Sequence, residues 1–214
     1  MKLFLLQVLM YLCFFSTVSR AVTSEPSSFL DNSYRWQIAI GHLSQSLVSE
    51  EKDASNGILG PEKKMTGENF SIYFEIIKIR NENLEWLINT GYEVFSVFNK
   101  DSTTFCPSNS NEGCHVKISY LNMGAMPRLK LNYKKYQLWS GLSLNIKQPL
   151  SKKASAVVER AISATSAYGV AIGVDIFTNQ NLIIPFEIQQ QYFLSSNSVK
   201  AQQFLIKMGL GRSF

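Results

Sequence analysis

Histidine is nearly missing from this chain of 214 residues, which holds only His42 and His115. That side chain carries much of the general acid–base and metal chemistry of proteins, so few catalytic sets can be assembled and no enzyme is expected. Cysteine is scarce too. Cys13 sits in the apolar opening segment, without the small residues before it that a lipidated leader shows. Cys106 and Cys114 share the polar stretch "FCPSNSNEGCH". They are expected to close a loop tip by a disulfide in an oxidising compartment, the alternative being two free thiols. His115 is the only other strong soft-metal ligand in that stretch, too few for a zinc site. After residue 15 no apolar run approaches the ~20 residues of a membrane-spanning helix, so any membrane residence must come from strands. Charge is thin, with Asp, Glu, Lys and Arg at 17% and a net charge of +5 that falls to +3 without Lys2 and Arg20. No basic stripe with interleaved aromatics stands out, which excludes nucleic acid as a partner. The glycines follow no phosphate-cradling spacing, so no cofactor is expected.

What is present begins with a targeting pattern. Lys2 supplies charge, residues 3–15 an apolar core, and Ser19-Arg20-Ala21 small residues for cleavage. Residues 1–21 are therefore expected to be a cleaved signal peptide, since the apolar run is short for an uncleaved anchor. Residues 22–214 then form one domain.

That domain alternates with period two almost throughout, the mark of strands with two unlike faces. Tyr34, Trp36, Ile38 and Ile40 alternate with Arg35, Gln37, Ala39 and Gly41. Similar sets follow at Phe70 to Ile76, Leu84 to Val94, Tyr136 to Ile146, Val170 to Ile176, Leu182 to Tyr192 and Phe204 to Phe214. A further strand between Cys114 and Lys134 starts with Val116, Ile118 and Tyr120, then changes phase near "MGAMP" and resumes as Leu129 and Leu131. A bulge or kink at residues 124–127 would account for the slip. Short turns are expected near residues 81–83, 132–135 and 178–180, long connections near 48–67, 99–114 and 147–159, and a modest one near 195–198. Short turns at one end and longer loops at the other are the asymmetry of an outer-membrane barrel.

The second face is rich in Gly, Ala, Ser, Asn and Gln with isolated charges, which suits a crowded barrel interior. Arg35, Glu75, Glu85, Glu93, Lys117, Glu187 and Lys207 all fall on the parity assigned inward. In so narrow a space they should pair across the lumen and plug it, or line a very narrow path for small solutes. Tyr34, Trp36, Trp86 and Tyr136 lie near strand ends, where interfacial girdles sit.

The carboxyl end, "FLIKMGLGRSF", places Phe204, Ile206, Met208, Leu210 and Phe214 in one alternating set. It resembles the signal that the barrel-assembly machinery reads on bacterial outer-membrane proteins. "ISYLNMGAMPRLKLNYKKYQLWSGLSL" and "AYGVAIGVDIFTNQNLIIPFEIQQQYF" are similar to paired strands of the small porin-like barrels of the OmpA, OmpX and OmpW types. Asn122 stands where an acidic residue is expected after Tyr120-Leu121, and the fifth strand is poorer in glycine. The resemblance implies an all-β fold, an antiparallel up-and-down transmembrane barrel of about eight strands. It also implies export to the bacterial outer membrane, contact with outer-membrane lipid and with the assembly machinery, and a monomer. Expected function is non-enzymatic, a structural or loop-mediated role toward an external partner. Alternatives are a narrow channel for small or hydrophobic solutes, as the OmpW type suggests, and a lipid-modifying enzyme using His42 or His115.

Overall fold

The computed structural model describes residues 34–49, 63–79, 83–99, 114–155, 162–178, 182–194 and 199–213. The expected leader at 1–21, Cys106 and Phe214 lie outside the described residues. Eight strands follow in chain order: β1 Tyr34–Ser49, β2 Lys63–Ile79, β3 Leu84–Asn99, β4 Cys114–Asn132, β5 Tyr136–Ala154, β6 Thr165–Phe177, β7 Leu182–Phe193 and β8 Val199–Ser213. Each pairs antiparallel with its neighbour, and β8 returns to β1 to close the barrel. That closing ladder runs from Arg35↔Ser213 to Ser49↔Val199. Closure satisfies every strand edge, which hydrocarbon requires because an unpaired backbone group there has no water to turn to.

The connectors divide by length as expected. Residues 80–83, 133–135 and 178–181 join strands at what we call the turn end; residues 50–62, 100–113, 155–164 and 194–198 join them at the loop end. Tight backbone bonds hold two of the short turns, Tyr133 N–H to Tyr136 O and Thr178 N–H to Leu182 O, both 2.9 Å.

Around its middle the wall is apolar outside. Ile40, Phe70, Ile88, Leu144 and Ile172 are each more than half exposed. A contiguous band of this kind on a soluble monomer would be far larger than water tolerates, whereas lipid chains cover it without cost. Aromatic rings border it on both sides. At the turn end Tyr133 stacks on Tyr136 at 4.7 Å, and the Lys78 ammonium lies 5.7 Å from the Tyr34 ring. Toward the loop end Tyr168 stacks on Tyr192 at 5.8 Å, and the Tyr92 hydroxyl donates to Ser119 Oγ at 2.9 Å. Amphipathic rings at both limits of the band are the arrangement that membrane interfaces favour.

Beyond the second ring of aromatics the wall turns inside out. Leu47, Met65, Phe95, Val97, Val116, Ile118 and Tyr120 form a buried cluster inside the loop end, and Phe193 packs against it. Outward positions at the same height carry Ser44, Ser46, Lys64, Glu68, His115 and Lys117. This inversion corrects the expected kink at residues 124–127. β4 keeps one parity from Cys114 to Lys130, with even-numbered residues inward, and only the chemistry of the two faces changes at Tyr120/Leu121. The register shift of β4 against β5 lies between Ser119 and Tyr120. Pro127, which has no N–H to donate, stays in register with Trp86 of β3 and interrupts only the ladder toward β5. For the same reason β2 begins at Lys63 and β5 continues to Ala154. Their polar outward residues look like loop only if the outside is assumed to be lipid.

Candidate functional site

The lumen is the site with the most chemistry. Among the described residues ten charged side chains are buried, five cations (Arg35, Arg128, Lys130, Lys147, Lys207) and five carboxylates (Glu75, Glu85, Glu93, Asp175, Glu187). Equal numbers matter, because a surplus charge in a lumen without bulk water would cost several kcal/mol.

Most of them join one network near the turn end. Glu85 is its hub: it pairs with Arg35, lies 3.7 Å from both Arg128 and Lys130, and accepts from Gln137 Nε2 at 3.0 Å. Arg35 also reaches Asp175 at 3.3 Å, and Asp175 accepts from the Trp139 indole N–H at 3.0 Å. Arg128 continues to Glu187 at 3.1 Å, Glu187 to Lys207 at 2.9 Å, and Lys207 to Glu75 at 2.5 Å. With Gln137 and Trp139 included, every strand contributes a side chain, so the network cross-braces the whole circumference. Parity explains how: strands tilted around a barrel bring inward residues of non-adjacent strands into contact across a narrow bore. The Arg128 guanidinium lies 3.7 Å from the Trp139 ring centroid. That indole has room because residue 173 is glycine; a Cβ there would stand 2.3 Å from Trp139 Cζ2.

A second group sits nearer the loop end. Lys147 pairs with Glu93, which accepts from the Tyr73 hydroxyl at 2.9 Å and from Gln203 Nε2 at 3.3 Å. Lys147 also lies 5.0 Å from the Phe193 ring, which meets Phe95 edge-on at 5.5 Å. Above this pair the lumen is filled by the apolar cluster.

Of the sequence-predicted lumen residues, Arg35, Glu75, Glu85, Glu187 and Lys207 meet in the first network, and Glu93 anchors the second group. Lys117 does not belong: it is exposed on the outer wall, because it lies in the inverted stretch where Val116 and Ile118 point inward. His115 is exposed for the same reason. Sequence reasoning missed Arg128, Lys130, Lys147 and Asp175. The signal was available for three of them: Leu129 and Leu131 facing outward imply Arg128 and Lys130 inward, and Asp175 shares the parity of Gly173 and Ala171. Lys147 was hidden by assigning its segment to a loop. Cys114 opens β4 fully buried at the rim of the apolar cluster; its expected partner Cys106 lies outside the described residues. Phe204, Ile206, Met208 and Leu210 share the outer face of β8, the strand that closes the barrel against β1.

Neither histidine completes a nucleophilic set among the described residues. His42 Nε2 is 3.9 Å from Glu68 and its ring meets Phe70 edge-on at 5.5 Å, with no hydrogen bond to Ser44. His115 Nδ1 is 3.1 Å from Ser155 Oγ. The same hydroxyl accepts the His115 backbone N–H at 2.9 Å, which makes Ser155 a cap for the start of β4. A catalytic base also needs a group that orients it, and His115 has no carboxylate partner among the described residues.

No family model matches the chain, and no curated protein matches it by sequence. Solved structures do. Neisserial surface protein A is similar over 89% of this chain and all of its own, with 15% identity and a TM-score of 0.51. The outer-membrane protein AlkL is similar over 90% of this chain and 94% of its own, at 13% identity and a TM-score of 0.53. OprG, an outer-membrane protein of Pseudomonas aeruginosa, gives 86% and 97%, 10% identity and 0.50. At such identities the likeness is one of fold: a closed, small, eight-stranded barrel of the outer-membrane type.

Proposed function

We propose that this chain is an integral outer-membrane barrel sealed to solutes, acting in the envelope as a rigid, non-enzymatic element that lifts its long connections above the membrane. The observation that carries this reading is the filled lumen: ten buried charges balanced five against five, capped toward the loop end by an apolar cluster. A conducting pore needs a continuous wet path, and a hydrophobic plug above cross-bracing ion pairs opposes one. The apolar band between two aromatic borders supports placement in a membrane. The shared outer face of Phe204, Ile206, Met208 and Leu210 on the closing strand suits an assembly signal that would include Phe214, and Cys106–Cys114 would staple the connection leading into β4.

Purified, refolded barrel in planar bilayers should show no unitary conductance over a wide voltage range. Defined channels, altered on changing Glu93 or Lys207, would overturn the sealed reading in favour of a narrow pore. Heat-modifiable mobility in outer-membrane fractions is the companion measurement; recovery as a soluble periplasmic species would overturn the membrane placement itself.

A further inference from the structure

The charges on the outer wall are as unbalanced as those of the lumen are balanced. At the loop end, among residues whose side chains are described, the exposed charges are Lys64, Lys117, Lys153 and Lys200 against Glu68 alone. Two of these lysines are set directly opposite each other. Lys117 of β4 and Lys153 of β5 are register partners, so their side chains leave the same face from Cβ atoms about 5 Å apart. Like charges so placed disfavour the pairing of their strands. Among the described residues neither lysine meets a carboxylate, whereas every buried cation does.

Their height on the wall is defined by the residues beneath them. The next outward position of β4 toward the apolar band is Ser119, bonded to the Tyr92 hydroxyl at the aromatic border, and opposite Ser119 stands the exposed Ser151. Below that border Leu121, Met123 and Ile146 face outward and are exposed. The lysine pair therefore stands one outward position beyond the interface, at the level of lipid headgroups, above a wall that acyl chains cover.

We propose that Lys117 and Lys153 form a binding site for a phosphate group of an outer-leaflet lipid, with the Ser151 hydroxyl as an added donor and the lipid's chains lying on Leu121, Met123 and Ile146. A phosphate between the two ammonium groups relieves their repulsion with charge-assisted hydrogen bonds. The site is continuous with the lipid-facing band, which favours a membrane lipid over a soluble anion. It rests on the membrane placement proposed above.

The test uses the full chain refolded in non-ionic detergent, titrated in native mass spectrometry with bisphosphorylated lipid A and with the same lipid after dephosphorylation. Wild type should bind the phosphorylated form, and Lys117→Gln/Lys153→Gln should weaken it about thirtyfold, from roughly a fivefold contribution per lysine near a membrane surface. The charge-matched pair Lys78→Gln/Lys135→Gln at the turn end should bind like wild type. Lys153→Glu guards against a folding defect: it should abolish phosphate-dependent binding while leaving the lipid-free barrel at least as resistant to urea as wild type. Equal binding of both lipid forms, undiminished binding by the double variant, or full competition by inorganic phosphate or a sulfated polysaccharide would each overturn the site. A wild-type chain that proves soluble would overturn the membrane reading as well; a heat-modifiable, embedded barrel whose double variant still binds overturns the lysine site alone.

Discussion

The barrel is two proteins stacked on one set of strands. Along the apolar band, β4 presents Leu121, Met123 and Leu129 outward and Asn122, Arg128 and Lys130 inward; a few residues toward the loop end it presents His115 and Lys117 outward and Val116 and Ile118 inward. Nothing in the backbone changes between the two except one register shift at Ser119/Tyr120. On the membrane placement proposed above, what changes is the solvent. In lipid the outside gains nothing from polarity, and the crowded inside can be polar if every charge is paired. Past the aromatic border water covers the outside, the hydrophobic effect regains its usual direction, and the interior becomes a small soluble-type core.

The comparison can be broken hardest at the hub of the lumen. Glu85→Ala would leave Arg35, Arg128 and Lys130 facing one another without their shared carboxylate. It should cost about 3–5 kcal/mol in urea unfolding from lipid vesicles, where Glu68→Ala on the outer wall should cost under about 0.5 kcal/mol. The same residue type placed outward at two heights sharpens the contrast: Leu144→Arg, within the band, should lose about 2–4 kcal/mol, and Ser46→Arg, beyond it, about zero. Equal costs at both sites would mean that the border is misplaced. Gly173→Ala should cost about 1–3 kcal/mol by overpacking against Trp139, and should shift tryptophan emission as the indole leaves Asp175. The smallest effect is confined to a loop: an unreduced digest should yield one peptide joining Cys106 to Cys114, and reduction should leave the barrel's urea midpoint nearly unchanged.

Much of the wall was legible as sequence because period-two alternation reports directly which residues share a face. Tyr34 to Ile40 and Leu84 to Tyr92 needed no tertiary information, since both neighbours of each strand reinforce a single parity. The misplacements of Lys117, of the kink near Pro127 and of the ends of β2 and β5 have one cause. Alternation says that two faces differ but not which faces lumen, and apolar was taken to mean outward everywhere. That assumption fails where the strand leaves hydrocarbon, because the meaning of apolar depends on the surroundings and not on the residue.

By itself, then, the sequence determined strand number, antiparallel order, the unequal ends, and a set of inward charges of both signs, because these follow from local periodicity and turn chemistry. Only the tertiary structure decided which charges meet. Glu85 finds Arg35 and Arg128 because closure carries β1, β3 and β4 around a narrow bore, a relation no spacing along the chain encodes. Closure and tilt likewise decided where the interior turns from ion pairs to Phe95, Val97 and Ile118. They set Lys117 beside Lys153 on the outer wall as well, where each lysine alone would have read as an ordinary solvated charge.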